Sequence, residues 1–149
     1  MKRLLGTLLL AAGLVTAARL SAQVNSLCAV VKLEIAQKAT LEREAFDARL
    51  VINNSVIDQP LTSLKVQIFI KDATGASADQ SFFVKVTSLT GTNAVDGTGV
   101  VQSSSTAEIH WLIIPSSGTG GSNPLGRQYA VSALIAAVST GAPQNLTTF

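Results

Sequence analysis

From Ala29 to Val138, apolar and polar residues alternate in short runs separated by Gly, Ser, Thr, Asn and Pro. Successive side chains of an extended strand point to opposite faces, so this period-two pattern predicts strands with one buried and one wet face. The clearest run is Ser63 to Lys71, where Leu64, Val66, Ile68 and Ile70 face one way and Lys65, Gln67 and Lys71 the other. Phe69 is the only apolar residue on its polar side, and Asp72-Ala73-Thr74-Gly75 supplies the turn that follows. Upstream, Ala29, Val31, Leu33 and Ile35 share a face, as do Phe46, Ala48, Leu50 and Ile52 before Asn53-Asn54-Ser55. Downstream come Phe82-Val84-Val86, a weak strand at Val100-Val101, the apolar run Ala107 to Ile114, and Tyr129 to Val138.

One segment is contested. Gln37 to Leu50 is rich in Ala, Leu, Glu, Arg and Lys, and Leu41, Ala45, Ala48 and Ile52 sit at near-helical spacing. Residues 37–47 therefore read as helix or strand. A strand beginning near Leu41 is favoured, because it pairs naturally with the Leu64 strand.

About seven strands punctuated by turn signals form the pattern of an all-β fold, an antiparallel immunoglobulin-like or fibronectin-like β-sandwich. Trp111, with Ile109 and Ile113, is expected between the sheets against Leu50, Ile52, Val66, Ile68, Val131 and Ile135. The cysteine pair of an antibody domain is absent, since Cys28 is the only cysteine.

The first 22 residues read differently. Lys2 and Arg3 precede an apolar run from Leu4 to Val15, and Leu20-Ser21-Ala22 ends in a small residue. This is the layout of a secretory signal peptide (residues 1–22), with cleavage after Ala22 or, as a weaker alternative, after Ala18; the run is too short to span a bilayer. Residues 23–149 then form one β-sandwich domain, and the expected location is secreted, extracellular, cell-surface or periplasmic. Without the signal, eight basic residues face nine acidic ones, a net charge of −1. Scattered charges of that balance offer no footprint for nucleic acid or anionic lipid.

Few residues bring chemistry to the chain. His110 is the only histidine, so a histidine metal cluster is excluded. Glu108 and His110 share the face opposite Trp111 and could act as base and orienter. No nucleophile elbow accompanies them, and an exposed or cross-strand-paired histidine is the better reading. Cys28 reads as a small buried hydrophobe near the first strand, since Asn25-Ser26-Leu27 does not fit a lipobox; a partner cysteine in another or a longer chain is the alternative. Asp72, Asp79 and Asp96 lie beside glycines but lack EF-hand spacing, so they read as turn residues. Gly118-Thr119-Gly120-Gly121 lacks the ending of a phosphate loop. No catalytic, cofactor-binding or metal site is expected. Phe69 and Phe83, on the polar faces of their strands, are the candidate interaction surface.

Phe46 to Asn54, Pro60-Leu61 leading into Ser63 to Ile70, and Asp72 to Gly75 resemble bacterial extracellular β-sandwich repeats of the CARDB and related adhesion-associated type. Ser105 to Pro115 is similar to a segment near the start of large secreted bacterial proteins. The resemblance implies surface or extracellular scaffolding and transfers no catalytic residue. Gly141 to Phe149 reads as the start of a further strand, consistent with the N-terminal piece of a longer protein. The expected function is a non-catalytic exported structural or adhesion module without cofactors, whose partners are other domains of a parent chain or another extracellular protein. A carbohydrate-binding module or a pilus-type assembly subunit, with glycans or a donated strand as partner, is the alternative.

Overall fold

A computed structural model describes residues 29–35, 42–139 and 142–147. The segment read as an export signal, Cys28 and the part of the contested segment before Glu42 lie outside the described residues.

Eight strands and one 3₁₀ turn follow one another: β1 (Ala29–Ile35), β2 (Phe46–Asn54), β3 (Leu61–Asp72), the turn Asp79–Ser81, β4 (Phe82–Thr90), β5 (Asp96–Val101), β6 (Ser105–Pro115), β7 (Tyr129–Ser139) and β8 (Ala142–Thr147). They form two four-stranded antiparallel sheets, ordered β1-β2-β6-β4 and β5-β3-β7-β8. In an immunoglobulin constant domain the sheets are A-B-E-D and C-F-G. Here β1, β2, β6 and β4 occupy the first set of places and β3, β7 and β8 the second. The difference is β5, inserted in the chain between the D-like β4 and the E-like β6, and added to the edge of the second sheet beside β3. The fold is a β-sandwich, as the alternation predicts.

One hydrophobic cluster fills the space between the sheets, and its composition follows from the register. Across the first sheet, inward residues align as Ala48–Trp111–Val86 and Leu50–Ile109–Leu89; across the second, as Val66–Ile135 and Ile68–Ala133. Small Ala48 and Ala133, both fully buried, sit beside large neighbours, so the two inner faces interdigitate. Trp111 is 3% exposed and Ile109, Ile113 and Leu50 are fully buried. Ile52, Val66 and Ile135 join them, while Ile68 and Val131 pack against the cluster from its margin.

Several boundaries differ from expectation for identifiable reasons. The strand placed near Leu41 begins at Phe46 and pairs with β1 and β6 rather than with the Leu64 strand, which lies in the other sheet. Glu42 and Arg43 form a turn in which Arg43 has φ 64° and donates its backbone N–H to Pro115 O at 2.9 Å. That geometry delays the strand. β3 starts at Leu61, ahead of Ser63, because a bulge around Ser63 (φ 53°) absorbs the break in alternation. β4 runs past Thr87 to Thr90, since a bulge between Val86 and Ser88 returns Leu89 to the inner face. β5 is a full six-residue strand rather than a Val-Val pair. Its Gly97 and Gly99 hide the period-two pattern. The strand read at the chain's end is β8, paired with β7, and it brings the total to eight.

Candidate functional site

The polar face of the first sheet gathers the chain's only histidine and most of its paired charges. β2 places Asp47 and Arg49 outward, β6 places Glu108 and His110 outward, and β1 brings Glu34 opposite Arg49. Alternation explains this placement, because each of these residues lies between inward-facing Leu33, Ile35, Phe46, Ala48, Leu50, Ala107, Ile109 and Trp111. The five side chains form a continuous ladder across three strands. Arg49 donates from Nε to Glu108 Oε1 (2.6 Å) and from Nη2 to Glu108 Oε2 (2.8 Å), and from Nη1 to Glu34 Oε2 (2.8 Å). His110 Nε2 lies 2.8 Å from Glu108 Oε1 and Nδ1 lies 2.9 Å from Asp47 Oδ2.

A carboxylate can only accept, so both ring nitrogens must donate and the ladder favours the imidazolium. The pKa of His110 is accordingly raised above its usual 6.5, first by the bond to Glu108 and then by that to Asp47. Glu108 is held down to about 2, chiefly by Arg49 and secondarily by His110. The Arg49 guanidinium is held charged more firmly still by Glu108 and Glu34. The signs define a window. The contribution of His110 is complete below its ordinary pKa and is lost as pH rises through the raised value. That of Glu108 is complete above 4.5 and is lost as pH falls toward about 2. These are half-exposed pairs, so they select strand register more than they add stability.

At one end of the sandwich a cavity of about 630 Å³ opens between the start of β4, the ends of β1 and β6, and the loop from Ser116 to Gln128. Its floor includes Phe46, Phe82, Pro115 and Tyr129; its rim includes Glu42 and Arg127. The loop is tied down at three points. The Glu42 carboxylate accepts from Gly118 N (2.9 Å) and Gly120 N (2.7 Å), which lowers its pKa. The Thr119 hydroxyl donates to Ser81 O (3.1 Å). Tyr129 donates from its hydroxyl to Thr119 O (2.7 Å), and its ring stands edge-on to Phe82 with centroids 5.0 Å apart. A tyrosine at the start of the F-place strand, bonded back to upstream backbone, has the geometry of the immunoglobulin tyrosine corner. Tyr129→Phe should keep the ring packing and cost about 1 kcal/mol in denaturant unfolding, the net value of one hydrogen bond. Glu42→Gln should speed amide exchange at Gly118 and Gly120. The wild-type protein should lose the same protection as pH falls through the lowered pKa of Glu42.

Phe69 and Phe83 are not brought together. Phe69 lies half-buried on the outer face of β3 in the second sheet, whereas Phe83 lies 57% exposed on β4, an edge of the first. Phe83 instead has a local apolar neighbourhood: it pairs with Ile114, and Lys85 beside it pairs with Leu112, both half-buried on the outer face of β6. The sequence reading placed Glu108 and His110 on one face, and the structure adds their partners Asp47, Arg49 and Glu34. Asp72 and Asp96 are turn residues. Each accepts from a nearby Thr (Thr74 and Thr98) through both hydroxyl and backbone N–H, which lowers its pKa. Among the described residues no cluster of three His, Cys, Asp or Glu could hold a metal ion. No helix among them is long and apolar enough to cross a membrane.

No family model and no curated protein matches the sequence. Among the solved structures that are similar are two of low identity. The GAE domain of yeast GGA1 aligns over 80% of this chain and 86% of its own, with 12% identity and a TM-score of 0.40. A family 123 glycoside hydrolase from Clostridium perfringens aligns over 79% of this chain with 11% identity and a TM-score of 0.42; this chain spans 26% of that enzyme.

Proposed function

We propose that the chain is a non-catalytic, exported structural or adhesion module of the CARDB-like kind, acting through contacts with neighbouring domains or another extracellular protein. The observation that carries this reading is the engagement of His110. Its two ring nitrogens both face carboxylates, so neither is free to take a proton from a nucleophile or a water. The apolar strip formed by Phe83 on the edge strand β4 and by Ile114 and Leu112 on the adjacent β6, beside the charged ladder, is the contact surface this reading favours. Profiling with hydrolase probes and glycan substrates tests it: no turnover is expected, and robust turnover abolished by His110→Ala contradicts it.

The open edges favour a second reading, assembly by strand donation. Among the described residues β1 pairs only with β2 and β8 only with β7, so each sheet ends there in a strand with one side unpaired. Light scattering behind size exclusion separates the two readings. A clean monomer that also fails on a glycan array removes both the assembly subunit and the carbohydrate-binding module.

A further inference from the structure

The end cavity combines an apolar floor with a single uncommitted charge. Glu42, its one acidic residue, already accepts from two backbone amides, and the cation lowering its pKa is Arg43 rather than Arg127. The Tyr129 and Thr119 hydroxyls donate to backbone carbonyls. Arg127 is different. Among the described residues it has no ion-pair or hydrogen-bond partner, and its guanidinium lies against the bare backbone of Gly121. A Cβ added there would fall 2.5 Å from Arg127 Nε and 3.1 Å from its Cζ, and Gly121 has φ 70°, a conformation that side-chain-bearing residues rarely adopt. Gly121 thus both shapes the loop and leaves the space in which the guanidinium lies. Five donors in a planar fork suit a carboxylate better than any neutral group. The volume, about 630 Å³, lies within the range of small-molecule pockets.

We propose that this cavity binds a small amphipathic carboxylate, with its apolar body over Phe82, Tyr129 and Phe46 and its carboxylate on Arg127. The site is independent of the scaffolding role and of the ladder on the outer face. Among the described lining residues Arg127 carries the one charge not already engaged, and the Gln128 amide beside it offers a neutral donor. An anion is selected over a neutral analogue because the charged fork of Arg127 binds a carboxylate more strongly than a hydroxyl. A cation is disfavoured by the same charge.

Three matched probes decide the matter: 4-phenylbutyrate, 4-phenylbutanol and 4-phenylbutylamine, titrated into the full chain and followed by NMR shifts of Tyr129, Val131 and the Arg127 Nε–H. The acid should saturate, with ring-current shifts at Tyr129 and Val131, and the alcohol and amine should bind at least about tenfold more weakly. Arg127→Ala should reduce the acid to the affinity of the alcohol, and Arg127→Lys should fall between. Arg127 is exposed, so thermal unfolding of both variants should match wild type and keep the comparison clean. Absence of saturation by the acid, equal affinity for acid and alcohol, or an acid affinity unchanged in Arg127→Ala would each overturn the proposal.

Discussion

Trp111→Ala should cost roughly 3–5 kcal/mol of unfolding free energy, the scale for deleting a large buried aromatic. Trp111 is 3% exposed in the middle strand of three, flanked by Ala48 on β2 and Val86 on β4. Ala48 is too small to move into the vacated space, so a cavity remains and its loss of contacts adds to the transfer term. Against a total stability of about 5–15 kcal/mol typical of such domains, this change removes a large share of what keeps the protein folded. Denaturant titration measures it. Trp111 is the only tryptophan, so its emission should be blue-shifted in the native protein and move red on unfolding. Lys65→Ala, on the wet face of β3, should leave the midpoint nearly unchanged.

Asn54→Ala should be the second most damaging change, at about 2–3 kcal/mol. The Asn54 side chain is fully buried. Its amide donates to Gln59 O (2.8 Å) and Gln102 O (3.0 Å), while its Oδ1 accepts from Val56 N (3.3 Å). Gln59 lies in the crossing from β2 to β3, and Gln102 in the crossing from β5 to β6. One carboxamide therefore ties two inter-sheet connections at this end of the sandwich, and Ser104 N donating to Val56 O (3.1 Å) joins the same loops. Removing it leaves carbonyls without a partner, and alanine cannot replace the bonds. Asn54→Asp should be worse, because a carboxylate would face carbonyl oxygens in a dry site. Urea midpoints of the two variants check the order.

Asn54 also marks where the sequence stops being legible. Asn53-Asn54-Ser55 reads as a turn because asparagine and serine favour turns, yet Asn54 is the last residue of β2 and points inward. Its partner Gln102 lies 48 positions away, and no local pattern names it. Where one face of a strand is buried, the pattern carries through: the inward sets of β2, β3, β6 and β7 are the ones alternation picks out, and Trp111 lies among them. Where a bulge shifts the register, as at Ser63 and between Val86 and Ser88, period two misplaces the boundary. The ladder was half legible. Spacing puts Glu108 and His110 on one face, but only the β2–β6 register brings Asp47 and Arg49 to them. Alternation along Tyr129 to Val138 puts Tyr129 on the core face with Val131 and Ala133, but its hydrogen bond is not legible there, since Thr119 is reached only through the loop's own fold. Its position at the start of the penultimate strand was the available signal.

The central claim is that His110 serves as a paired cation on the outer face of the sheet. Long-range ¹⁵N–¹H spectra of its imidazole measure this directly. Two protonated nitrogens are expected at pH 7, with a midpoint above the ordinary 6.5 and a return toward that value in both Asp47→Asn and Glu108→Gln. A neutral ring at pH 7 with one unprotonated nitrogen, titrating at or below 6.5 and indifferent to both substitutions, would contradict it.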